Sequence, residues 1–170
     1  MDTATKLEFD ISQLRRAIAK ALQLPDEAVI GGWLPENKLS AFITVDMMSQ
    51  QEIGQSQRKF EGKKETETII SSLLSTVSIS CYGNNGVRVA TKLKNLLQSS
   101  AMIDALKAMQ AHIVRFSDVR NLTATVGADY QERGQFDCII SHHHIIETPL
   151  NRMDKVKVSG SILAEIDKTD

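Results

Sequence analysis

Alternation with a period of two most constrains what this chain can fold into. In "STVSISCYG", Val77, Ile79 and Cys81 fall on one side of an extended segment, with Ser78 and Ser80 on the other. Successive Cβ atoms of a strand point to opposite faces, so this segment reads as a half-buried strand with a wet side. The period returns from Phe136, where Phe136, Cys138, Ile140, His142, His144 and Ile146 share a face. It is cleanest near the C-terminus. There Val156, Val158, Gly160, Ile162, Ala164 and Ile166 oppose Lys155, Lys157, Ser159, Ser161, Glu165 and Asp167. Strands with one wet face belong to antiparallel sheets.

Helical spacing interrupts the strands. In "FDISQLRRAIAKALQL", Asp10 or Ser12 can cap a helix, and Ile11, Leu14, Ile18, Ala21 and Leu22 recur on one face before Pro25 ends it. "GNNG" closes the Val77 strand. "GVRVATKLKNLLQS" then predicts a helix with Ala90, Leu93 and Leu97 inward, and "SSAMIDALKAMQ" another with Ile103, Leu106 and Met109 inward. Helices among mostly antiparallel strands predict an α+β fold with the helices packed on one face of the sheet.

"SAFITVDMM" reads as a strand, and the polar run after it, "SQQEIGQSQRKFEGKKETET", lies between strand-like segments. A structureless loop of that length is uncommon inside a compact domain. The expectation is a β-hairpin arm over about 46–66, protruding from a single domain that spans 1–170.

The chain has 170 residues, enough to bury one real core, and carries a net charge of −1 with both signs interspersed. A dedicated nucleic-acid binder would show a basic stripe. Cys81 and Cys138 lie far apart in apolar stretches and read as buried thiols of a reducing compartment. The start "MDTATKLEFD" has no basic and apolar leader pattern, and no stretch approaches the ~20 apolar residues a membrane helix needs. The reading is a soluble chain made in the cytoplasm.

The strongest chemical candidate is "SHHHII". On a strand His142 and His144 share a side while His143 points away, with about 7 Å between the first two Cα atoms. A zinc site needs a third and usually a fourth ligand. His112 is the only other histidine, and Cys138 lies roughly 13 Å along the strand from His142. The ligand count falls short, and the economical reading is polar ring edges at the strand's end, against solvent or an adjacent chain. "YGNNGVR" lacks the Gly-Lys-Ser/Thr ending of a phosphate loop, and Asn84 or Asn85 as turn residue and helix cap accounts for it. "GQSQR" around Ser56 lacks the second glycine of a nucleophile elbow. Glu65 and Glu67 lie on the polar arm as a solvated pair. No active site, cofactor site or metal site is expected.

One longer stretch, "VRNLTATVGADYQERGQFDCII", carries a resemblance. Val119, Arg120 and Leu122, then Tyr130, Glu132, Arg133, Gln135 and Phe136, resemble the matching motif of the phage neck and tail terminator family. "VSISCYG" followed by a helix resembles that family's strand, turn and helix, so the likeness runs from Thr76 to about Thr148. Asn121 stands where an acidic residue is usual, and Gly134 where alanine is.

The resemblance implies a structural, non-enzymatic virion protein of a tailed phage. Such a protein forms a ring, usually a hexamer, on the tail tube, stops its polymerisation and meets the neck or head connector and the sheath. DNA passes through the lumen without base readout, and no membrane is involved. Near-neutral charge suits a channel that must not retain DNA. A closed ring needs head-to-tail interfaces, and an exposed arm with strand character can add to a neighbour's sheet edge. Arg120, Tyr130, Glu132, Arg133, His142 and His144 are the residues expected at such an interface or holding its loops. The rival readings are another head–tail joining or sheath-associated protein, a metal-binding protein using His142 and His144, and a module that binds a peptide at its sheet edge.

Overall fold

The computed structural model describes residues 3–32, 41–126 and 129–150. The strand expected from Val156 to Ile166 lies outside them. The described elements form an α+β fold. In chain order they are β1 (Ala4–Leu7), α1 (Ile11–Leu22), a 3-10 turn (Asp26–Ala28), β2 (Val29–Ile30), β3 (Phe42–Glu52), β4 (Gln57–Glu61) and β5 (Thr66–Tyr82). There follow α2 (Gly86–Leu96), α3 (Ser100–Ala108), β6 (Ala111–Phe116), β7 (Arg120–Asn121), β8 (Ala124–Val126), β9 (Asp129–Gln131) and β10 (Arg133–Pro149).

Two 17-residue strands, β5 and β10, form the spine. They pair antiparallel without a slip from Arg133 opposite Tyr82 to Pro149 opposite Thr66. Along the free side of β5 lie β3 and then β4; along the free side of β10 lie β7, β6 and then β1. The sheet is mixed, because the two-residue β2 runs parallel to β3. β8 and β9 form a separate small hairpin.

The helices cover one face of the inner half of this sheet. Val45, Val77, Ile79, Cys81, Phe136, Cys138 and Ile140 point toward them and are buried against Leu14, Ile18, Ala90, Leu93, Leu97, Met102 and Leu106. The period-two expectation therefore holds for the core side of β5 and β10. It fails for the wet side of β5, where Ser78 and Ser80 are only 8% and 3% exposed. Gln135 Nε2 donates to Ser78 Oγ at 2.6 Å and Arg133 donates to Ser80 Oγ at 3.1 Å, so neighbouring side chains lie over both serines.

Helix α1 begins as expected, with the Asp10 carboxylate accepting the Ser12 N–H at 2.8 Å. That hydrogen bond holds the Asp10 pKa below its ordinary value. In α3 the buried face carries Met102 and Leu106, whereas Ile103, expected inward, is 40% exposed. Met102 sits four residues before Leu106, and the helix is rotated to put that pair on the sheet.

Residues 46–66 comprise the outer part of β3, all of β4 and the turn into β5. β4 pairs antiparallel with the start of β5, and every residue of it is exposed. No residue of β5 before Ser75, and none of β10 after His142, is buried. The core thus stops at one level, and the spine continues past it.

Candidate functional site

Two polar clusters lie along β10. The first surrounds its start. The Glu132 carboxylate accepts the backbone N–H of Asn85 at 2.8 Å, while the Glu132 carbonyl accepts the N–H of Gly83 at 3.1 Å. Asn85 holds the N-cap position of α2 with φ 64°, a left-handed conformation that asparagine tolerates. Its side chain makes no capping bond, contrary to expectation. The acidic side chain of Glu132 instead supplies a charge-assisted acceptor to the turn before the helix.

Two residues after Glu132, Gly134 meets Gly86 backbone to backbone. A Cβ at Gly134 would lie 2.6 Å from the Gly86 carbonyl oxygen, and one at Gly86 would lie 2.7 Å from the Cys81 carbonyl oxygen. An alanine at 134 would therefore have to push the strand and the start of α2 apart.

Arg133 lies across the uncovered sheet face. Its guanidinium is 5.1 Å from the centre of the Tyr82 ring, which stacks on Phe42 at 4.5 Å. Its Nε is buried and has no hydrogen-bond partner among the described residues. Arg120, on β7, pairs with the Asp137 carboxylate, with 51% and 26% of the two side chains exposed. The Asp137 N–H and carbonyl are bonded to the Ser117 hydroxyl and N–H, and Lys94 Nζ donates to the Ser117 carbonyl at 2.8 Å. The backbone of Tyr130 lies on β9, opposite Thr125. Arg120, Glu132 and Arg133 therefore gather at one end of the spine.

The second cluster is the histidine run, about nine residues and roughly 30 Å farther along. His142 and His144 share the helix side and His143 faces the other way, as the period requires. His142 is not at the strand's end, because β10 runs on to Pro149. It is 4% exposed, stacked on Phe9 at 5.0 Å between ring centres, with Nε2 2.7 Å from Ser75 Oγ. Its Nδ1 is buried, with no hydrogen-bond partner among the described residues. Burial disfavours the imidazolium and lowers the His142 pKa from its ordinary value, and the nearby His144 and His143 add to this. His143 Nδ1 lies 3.2 Å from Ser72 Oγ, and His144 is half-buried.

Among the described residues no group of three or more His, Cys, Asp or Glu side chains is gathered as a metal would require. Cys81 and Cys138 are free and buried, and loss of water around them pushes both thiols up to about 12. Thiols held protonated in this way are poor nucleophiles. Among the described residues no helix is long and apolar enough to cross a membrane.

Sequence reasoning missed Arg15, whose Nε and Nη2 both donate to the Val45 carbonyl at 3.0 and 2.8 Å. It closes the outward edge of β3 and lies 3.7 Å from Asp46, which accepts the Gly32 N–H at 2.6 Å. Phe9 and Ser75, the contacts of His142, were missed as well. A serine in a serine-rich strand and a phenylalanine before a helix carry no signal of that contact.

These contacts join strand to turn and helix to sheet edge within an α+β fold built on a long antiparallel spine. The chain belongs to the phage neck terminator protein family, whose model matches residues 12–165 of the 170. That family supports a structural role in the phage neck and tail, with the virion neck or tail as its location. No curated protein matches the chain.

Proposed function

We propose that copies of this chain close into a ring, six by family resemblance, at the neck end of the tail tube. The ring stops tube growth and presents its other side to the neck or head connector. DNA passes through its lumen without sequence readout, and the work is mechanical rather than catalytic.

The observation that carries this reading is the outer half of the spine. Ile69, Ile70, Leu73, Leu74, Ile145 and Ile146 are only half-buried there, and Phe60 and Ile53 beside them are 46% and 48% exposed. A strand pair that extends beyond its own core with apolar side chains on it is costly to leave in water. A neighbouring copy or tube subunit would cover it. At the opposite end of the spine Glu132 ties β10 to the turn before α2, while Arg133 reaches across to Ser80 on β5 and Arg120 on β7 pairs with Asp137 on β10.

Native mass spectrometry and electron microscopy of the purified chain, alone and with tail tubes, test the reading. The expected result is a multimer near six copies and ring-shaped particles or tube caps. A strict monomer at every concentration that also leaves tubes uncapped would overturn it.

A further inference from the structure

We infer that neighbouring copies join by direct strand addition, with β4 of one copy pairing antiparallel with β1 of the next. This rests on the ring reading above and names its contact.

In the outer half the sheet order is β1–β10–β5–β4, and each of the three steps is antiparallel. Three reversals leave β1 and β4 running in opposite directions. A copy related by rotation about an axis along the strands therefore places its β1 antiparallel to the first copy's β4, and the alternation continues unbroken. The two edges also stand at the same level. Thr5, Ile146, Ile69 and Arg58 form one row across the four strands, and Ala4, Glu147, Thr68 and Lys59 form the next.

Both edges are exposed, and neither has a second strand partner among the described residues. An unpaired edge presents a row of N–H and C=O groups that template another strand. Because the two edges differ, the contact is head-to-tail, the kind that closes a ring when the rotation allows.

Charge fits this contact. Glu147 sits one strand inside β1 behind the small Ala4, and Lys59 is on the matching row at the β4 edge. Two strand spacings put their Cα atoms about 10 Å apart across the joint, within reach of a lysine and a glutamate side chain. Lys6 already lies 3.5 Å from Glu147, so the joint would gather two lysines on one carboxylate. Lysines on short edges also keep free copies from pairing indiscriminately.

The test is disulfide trapping in the full chain. A Thr5→Cys/Arg58→Cys double variant, oxidised under assembling conditions, should deplete the monomer band into a covalent ladder that extends past the dimer and collapses on reduction. Each single variant should stay monomeric on the same gel, since Cys81 and Cys138 are buried. If multimers form but neither this pair nor Ala4→Cys/Lys59→Cys crosslinks, the edge contact is wrong and the ring reading stands. Covalent dimers from a single variant mean a two-fold contact and overturn the proposal. Amides of β4 protected from exchange in the monomer mean the edge is covered within its own chain, which also overturns it. Absence of any multimer, free or on tubes, overturns both readings.

Discussion

The two halves of the spine are built from the same pair of strands in one unbroken register, yet they are different materials. In the inner half β5 and β10 carry Val77, Ile79, Phe136, Cys138 and Ile140, all buried under three helices. In the outer half they carry four isoleucines and two leucines at comparable density, and none of the six is buried. Hydrogen bonding and sequence hydrophobicity do not distinguish the halves; the helical layer does. The inner half completes its burial within one chain, and the outer half is left to complete it with another. His142 marks the border, since its ring is the last buried side chain of β10 and closes the core against Phe9 and Ser75.

Truncation at matched positions separates the two halves most strongly. Phe136→Ala should cost about 3–5 kcal/mol in urea unfolding, because the ring is fully buried. Ile146→Ala, on the same face of the same strand, should cost under about 1.5 kcal/mol in the monomer while weakening assembly. Equal losses would mean that the outer half is part of the folding core. Gly134→Ala should come next, at about 1–3 kcal/mol, since the added methyl meets the Gly86 backbone rather than a movable side chain. An unchanged midpoint would show that the strand and helix can part without cost.

The border residue makes stability depend on pH. The folded pKa of His142 lies below its ordinary 6.5, so the unfolded chain takes up the proton first as pH falls. The contribution is fully present above about 6.5 and is lost as pH drops toward the lower folded value, at no more than about 1.4 kcal/mol per pH unit. Paired melts of wild type and His142→Phe between pH 7.5 and 5 should show the steeper decline in wild type; parallel curves would refute it. Removal of the Glu132 charge is a smaller change. Glu132→Gln should cost about 1 kcal/mol and speed amide exchange at Asn85, whose N–H it accepts. Arg120→Ala is expected to matter least, ~0–1 kcal/mol, because half of its side chain is in water.

Much of the inner half was legible in the sequence. Alternation identified the buried sides of β5 and β10, and helical spacing with an Asp10 cap identified α1. What stayed hidden depends on partners distant in the chain. Ser78 and Ser80 look wet until Gln135 and Arg133, more than fifty residues away, are laid over them. Ile103 and Met102 both fit a helical face with Leu106, and only the docked sheet chooses between them. The true length of β5 was obscured because "TETIISSLL" lacks a clean period. Both of its faces are half-buried, so no alternation is imposed on it. The three histidines suggested a strand end because polar residues usually mark one, and here the strand runs through them. Of the candidate residues, the cluster at Arg120, Glu132 and Arg133 was found through family likeness. Its contacts with Asp137, Asn85 and Ser80 came only with the fold.

The division of labour between the halves is tested most directly by amide hydrogen exchange on the free and the assembled chain. Residues 4–7 and 57–61 are expected to gain strong protection on assembly, while residues 77–81 and 136–140 are already protected and do not change. Unchanged exchange at 4–7 and 57–61 in a multimer, with protection gained over the inner strands or helices instead, would contradict it.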